Sequence, residues 1–142
     1  MSIEENKALV RRLLEDVATK GDHTVLDRLV APDVVLHGTT GQELRGREAY
    51  KQYIITIRKA FPDFHVTIED MIAEGDKVVC RFINSGTFKG EFRGIPPNSK
   101  KVTVWGIRID RIVNGKIAES WARTDTLSQM QQFGAIPPRG KK

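Results

Sequence analysis

The chain has 142 residues, the usual length of one domain, and its 39% hydrophobic and 29% charged residues exclude a disordered polymer. No run approaches the ~18 apolar residues of a membrane-spanning helix, and a lone cysteine, Cys80, excludes an intrachain disulfide and a cysteine-based zinc centre. The net charge of +5 is scattered, partly at Lys100-Lys101 and partly in Arg139-Gly140-Lys141-Lys142, with no zinc-finger spacing or aromatic RNA-binding signature, so no nucleic-acid partner is expected.

Ser2, with Glu5 three residues on, forms a capping box that opens a helix over 3–20. Val10, Leu13, Leu14 and Val17 make its apolar stripe, and Lys20-Gly21 ends it. A second helix is expected over 23–30, carrying Val25, Leu26, Leu29 and Val30 and stopping before Pro32. Val34-Val35-Leu36 is a short β-prone run, and 38–41 reads as a loop. The third helix, 46–61, sets Tyr50, Tyr53, Ile54, Ile57 and Phe61 on one face before Pro62. The apolar period then drops from 3.6 to 2. Strands are expected over 63–73, 77–88, 102–112 and 117–124, with a turn-rich stretch over 86–101 and a hairpin at Asn114-Gly115. Asp125 is positioned to cap a last helix over 126–133, closed by Gly134.

Consecutive strands joined by tight turns pair antiparallel, and amphipathic helices must cover one face of their sheet. The expected architecture is therefore α+β: a strongly curved antiparallel sheet under three helices, a cone whose mouth can hold a ligand, plus a short C-terminal helix. Residues 1–136 read as the single domain and 137–142 as a basic tail. The acidic start Met1-Ser2-Ile3-Glu4-Glu5 lacks the pattern of a secretory signal, and a cytoplasmic location is expected.

Three ordered motifs carry a resemblance. Gly86-Thr87-Phe88-Lys89-Gly90-Glu91-Phe92-Arg93-Gly94-Ile95-Pro96-Pro97 resembles the pattern G-T-h-x-G-x-f-x-G-i-P-P. Ile112-Val113-Asn114-Gly115-Lys116-Ile117-Ala118-Glu119-Ser120-Trp121 is similar to r-i-x-d-G-K-I-x-E-x-W, and Asp125 through Gly134 resembles the ending D-x-l-x-l-x-Q-l-G. These are motifs of the SnoaL-like polyketide cyclases, within the nuclear-transport-factor-2-like superfamily. The resemblance implies an α+β cone with a deep apolar pocket, and ring closure by intramolecular aldol condensation without metal or organic cofactor. Aligned through the Asn114-Gly115 turn, the family's acid/base aspartate falls on Ala122 and its histidine on Arg108, so neither role carries over. The family shares its closing aspartate with Asp125, which is not its acid/base.

Arg108 stands in an otherwise apolar strand, between Ile107 and Ile109. It reads either as an anchor for a substrate oxygen or as an outward arginine paired with a neighbour such as Asp110. A three-residue hairpin loop would set it beside Ser120 and Ala122; a two-residue Asn-Gly turn would set it with Trp121. The resemblance favours the longer loop. His37, ending the short strand, is the best available proton carrier, or else a histidine hydrogen-bonded to loop backbone. Arg108 and His37 are thus the candidate catalytic pair. Tyr53, Phe88, Phe92, Ser120 and Asp125 are the candidate ligand-binding residues, although Asp125 is more simply a helix cap and Phe88 and Phe92 either line the pocket mouth or anchor their loop. Cys80 reads as a core residue. The three histidines are too scattered to ligate a metal. The expected ligand is a small apolar, oxygenated molecule. The alternative to an enzyme is a binding module of the same fold. With the three-residue loop, Trp105, Ile107, Ile109 and Trp121 share the face away from the helices, which points to a homodimer or a dimer-based oligomer. Replacing Arg108 by Met is expected to change stability little, or to raise it, because an apolar stem replaces a buried charge.

Overall fold

The computed structural model describes residues 2–38 and 41–137; the expected 38–41 loop and 137–142 tail lie partly outside them. Helix α1 spans Ile3–Arg12 and begins as its capping box requires: Ser2 Oγ accepts the Glu5 N–H and Glu5 Oε1 accepts the Ser2 N–H, both at 3.0 Å. Leu13–Thr19 continue it as a π-helix, seen in the 3.2 Å bond from the Lys20 N–H to the Glu15 carbonyl. The stripe Val10, Leu13, Leu14 and Val17 is buried along its length. Thr19 ties this segment to the sheet, donating to the Leu14 carbonyl and accepting the Val66 N–H.

The second helix is shorter than its apolar pattern suggested. Helix α2 covers only Leu26–Leu29, and Val30 already opens strand β1, Val30–His37. Pro32 lies inside that strand, where its missing N–H coincides with the break in pairing between Val30 and Val35. Strand β2, Glu43–Arg45, was not foreseen: three residues are too few to show a period. Helix α3 spans Arg47–Ala60, followed by β3 (His65–Glu74), β4 (Lys77–Thr87), β5 (Lys101–Val113), β6 (Lys116–Thr124) and helix α4 (Thr126–Phe133).

One six-stranded sheet results, in the order β2-β1-β6-β5-β4-β3. The four long strands pair antiparallel as expected, but β1 lies parallel to β6, so the sheet is mixed. Strand β5 alternates strictly: Val102, Val104, Gly106, Arg108, Asp110 and Ile112 are buried against the helices, while Trp105 and Ile107 face out.

The β5–β6 hairpin turns on two residues, with φ of 52° at Asn114 and 77° at Gly115 and Val113 opposite Lys116. This corrects the three-residue loop. A two-residue turn alone would have put Arg108 with Trp121. Ala118 restores the other phase as an extra residue in β6: Ile112 pairs with Ile117, but Arg111 pairs with Glu119, and from there Asp110 faces Ser120 and Arg108 faces Ala122.

Gly106 lets the sheet close inward. A Cβ there would lie 2.6 Å from the Arg123 carbonyl oxygen and 2.8 Å from Phe82 Cζ. Gly106→Ala should therefore destabilise the protein by about 1–3 kcal/mol through overpacking, read as a lower denaturant midpoint at unchanged slope. An unaltered midpoint would show that the bend tolerates a methyl group.

Candidate functional site

The inner face of β5 and β6 carries three polar residues into an otherwise apolar interior. Asp110 and Ser120 are fully buried and Arg108 is 9% exposed. Such groups persist inside a core only when they satisfy one another. Arg108 donates from Nε to Asp110 Oδ2 at 2.8 Å and from Nη2 to Asp110 Oδ1 at 2.7 Å. Nη2 also meets the Tyr50 hydroxyl at 3.1 Å and Ser120 Oγ at 3.4 Å, and Ser120 donates to Asp110 Oδ1. Burial opposes the Arg108 charge, but the Asp110 carboxylate and the Tyr50 hydroxyl outweigh it, and the guanidinium stays protonated. Burial also raises the Tyr50 and Tyr53 phenols above their ordinary range.

Above this cluster lies a cleft of two lobes. The inner lobe, ≈ 90 Å³, has Arg108, Tyr50 and Ala122 in its lining; the outer, ≈ 80 Å³, has Phe61, Phe92 and Phe133. Tyr53, Ile57, Phe64, Asn84 and Thr124 line both, so the lobes adjoin. At the outer lobe, Arg93 sits 5.0 Å over the Phe92 ring and donates to Gln42 Oε1 at 3.1 Å. Arg108 is the one charged residue of the inner lobe among the described residues, and neither lobe is lined by a carboxylate or an imidazole.

The candidate residues separate accordingly. Arg108, Ser120, Tyr53 and Phe92 belong to the cavity or its floor. Phe88 is fully buried, stacked on Phe61 at 5.2 Å and against Phe133 at 4.9 Å, and anchors its loop. Asp125 caps α4, accepting the Ser128 N–H at 3.1 Å. His37 stands on the opposite face from Arg108. In the parallel β1–β6 register Leu36 faces Ser120 and both point inward, so His37 and Trp121 point outward. There His37 Nε2 meets Glu119 Oε2 at 2.7 Å and its ring stacks on Trp121 at 5.4 Å. The His37 hydrogen bond, followed by Arg111, holds the Glu119 carboxyl below its usual range. The geometry thus gives the pair His37 and Arg108 no common site. Sequence reasoning missed Tyr50 as a polar partner, since its place in the α3 stripe is that of any core aromatic, and it missed Asn84 altogether. Cys80 is buried, with its thiol pushed up by burial to about 11, which makes it inert.

Asp110 also changes the expected outcome of removing the Arg108 charge. Arg108→Met leaves a carboxylate with no accessible surface and no cation, so the variant should lose about 3–5 kcal/mol rather than little. Adding Asp110→Leu should return most of that loss, because an apolar pair often replaces a buried ion pair at no net cost. Urea unfolding of the two single variants and the double variant tests this. Equal stability of Arg108→Met and wild type would show that the pair is not coupled.

Residues 8–133 match the family of SnoaL-like polyketide cyclases. No curated protein sequence matches the chain. Among solved structures, a protein of Jannaschia sp. CCS1 assigned to the SnoaL-like polyketide cyclases is 26% identical, with a TM-score of 0.87 over 96% of this chain and 97% of its own. AclR of Streptomyces galilaeus, assigned as a hydroxylase, is 26% identical, with a TM-score of 0.85 over 99% and 87%. IdmH of Streptomyces antibioticus, assigned as a polyketide cyclase, is 28% identical, with a TM-score of 0.79 over 91% and 98%.

Proposed function

Because the chain belongs to the SnoaL-like polyketide cyclase family, we propose that it takes a small apolar, oxygenated molecule of polyketide type into the cone and holds one oxygen of that molecule on Arg108. The observation that carries this reading is Arg108 Nη1: among the described residues it has no hydrogen-bond partner, while Nε and Nη2 are both engaged. A protonated donor at the end of an apolar lobe is a strong, directional site for an oxygen acceptor. Relatives of similar fold are assigned as cyclases and as a hydroxylase, so the chemistry has to be argued from the cavity rather than from the fold.

Aldol ring closure needs a group to remove a proton from carbon. Besides Arg108, the titratable groups facing the inner lobe are the Tyr50 and Tyr53 phenols, and burial raises both and keeps them protonated, so neither stands ready to take that proton. The cavity is therefore better suited to binding an oxygenated ligand and polarising its oxygen than to general acid/base turnover. Turnover by a residue of this chain is the second reading, favoured by the assignment of relatives as cyclases. Each lobe is far below the ~300 Å³ of a drug-sized site, so a polyketide must span both and displace the Phe92–Arg93 segment at the mouth.

Calorimetric titration with a hydroxylated anthraquinone, a rigid aromatic probe of polyketide type, tests the reading. Binding in the micromolar to millimolar range is expected, weakened at least about tenfold (1.4 kcal/mol) in the charge-balanced Arg108→Met, Asp110→Leu variant. His37→Gln should leave affinity unchanged. An affinity indifferent to Arg108 would remove the anchor, and loss of binding in His37→Gln would return the site to the outer face.

We also propose that the outer sheet face pairs with a second copy of the chain. Trp105 is 53% exposed and Ile107 41%, with Ile109 and Trp121 beside them on the same face. Burying such side chains contributes roughly 1.5–3 kcal/mol each before association costs. Light scattering at micromolar concentration should give a dimer mass, and Trp105→Lys should give a monomer with unchanged circular dichroism. A monomeric wild type would refute the pairing.

A further inference from the structure

We infer that the inner lobe selects a neutral carbonyl or hydroxyl oxygen and rejects a carboxylate. The inference rests on the reading of the cleft as a ligand site and deepens it by fixing the charge of the group that Arg108 accepts. An arginine in an apolar cavity suggests at first a carboxylate receptor, and two features of this one argue otherwise.

The first is geometric. A guanidinium grips a carboxylate with two parallel N–H donors along one edge of its plane. The Nε–Nη2 edge of Arg108 is filled by the two oxygens of Asp110, at 2.8 and 2.7 Å. The Nη1–Nη2 edge lacks a second free donor, because Nη2 already meets Asp110, the Tyr50 hydroxyl and Ser120. What remains is Nη1 alone, which suits a single acceptor atom. Ser120 already donates its proton to Asp110, and the Tyr50 hydroxyl, which accepts from Nη2, offers only a neutral O–H in place of a second guanidinium donor.

The second is electrostatic. Asp110 is fully buried and lies against Arg108, so the two together are neutral. Arg108 is the one charged group lining the inner lobe among the described residues. A ligand carboxylate would therefore bring a net negative charge into an apolar lobe, with the Asp110 carboxylate just behind the guanidinium. Such a charge is costly to desolvate. A ketone, quinone, ester carbonyl or phenol carries no such penalty and still gains a charge-assisted hydrogen bond from Nη1. Arg93, at the outer lobe, does not alter this balance at the inner one.

The test compares acetophenone with benzoate, two molecules of the same heavy-atom count that differ in a methyl group against a charged oxygen. Each is titrated into the isotope-labelled protein at about pH 7.5, with dissociation constants read from the amide shifts of Tyr53 and Asn84. Acetophenone should bind at least about tenfold more tightly than benzoate, a difference of 1.4 kcal/mol. Apparent affinity for benzoate should rise as pH falls toward about 4.5, where part of it becomes the neutral acid, while that for acetophenone stays flat. Asp110→Asn, which keeps an acceptor for Arg108 but removes the negative charge, should shift the preference toward benzoate by at least about tenfold. Should that variant fail to fold, the pH series on the wild-type protein decides alone. Benzoate binding as tightly as acetophenone would overturn the selection while leaving the cleft a ligand site. Neither molecule shifting Tyr53 or Asn84 at millimolar concentration would overturn the ligand-site reading and the selection with it.

Discussion

The bidentate ion pair between Arg108 and Asp110 is the constraint around which the interior of this protein is arranged. Two charges stand on one strand, two residues apart, with 9% and 0% of their surfaces exposed. Neither would be stable there alone, and each needs the other plus enough hydrogen bonds to fill its remaining valences. Tyr50 from α3 and Ser120 from β6 complete that set, so the pair links a helix and two strands. It also leaves one guanidinium nitrogen over, and that nitrogen is the polar feature of a lobe otherwise lined mainly by hydrocarbon.

Which side chains face that lobe depends on a single extra residue. The tight Asn114-Gly115 turn brings β5 and β6 together in the phase that would have buried Trp121 and expelled Ser120. Ala118 corrects the phase one pair later. Below the bulge, Ser120 and Ala122 join Arg108 inside, while Glu119 and Trp121 go outside with His37. The bulge therefore sorts the polar residues of β6, with Ser120 inside beside the Arg108–Asp110 pair and Glu119 outside beside His37. Family membership fixes the shape of the cone and the match to known structures extends over nearly the whole chain, yet the buried Asp110 carboxylate is taken up by Arg108 and Ser120, and among the described residues neither lobe is lined by a carboxylate or an imidazole. That is why a neutral, oxygenated ligand held by one donor fits it better than a proton-transfer cycle.

Much of the fold was legible because periodicity and capping are local signals. The Ser2–Glu5 box, the Val10–Val17 stripe, the four long strands and the Asp125 cap all reappear as expected. The failures arose where the determining contact lies far along the chain. Val30 reads as helix by spacing, but it becomes strand because β6 offers a partner. His37 stands out as a proton carrier, but the face it occupies depends on a parallel register that no local pattern reveals. Arg108 stands out in the sequence as a charge in an apolar strand, and Asp110 was within view as its neighbour. Tyr50, 58 positions away, was not, and with it the saturation of Nη2 went unseen.

The central claim is that Arg108 keeps one free donor nitrogen, Nη1, while Asp110, Tyr50 and Ser120 immobilise the rest of its guanidinium. Nitrogen-detected NMR of that side chain tests it most directly. Hindered rotation should give two distinct Nη signals for Arg108, with Nε and one Nη protected from solvent exchange. Adding an aromatic ketone should then move the unprotected Nη signal and leave the protected one in place. A single averaged Nη signal, or a ketone that moves Nε and the protected Nη, would contradict the arrangement on which the functional reading rests.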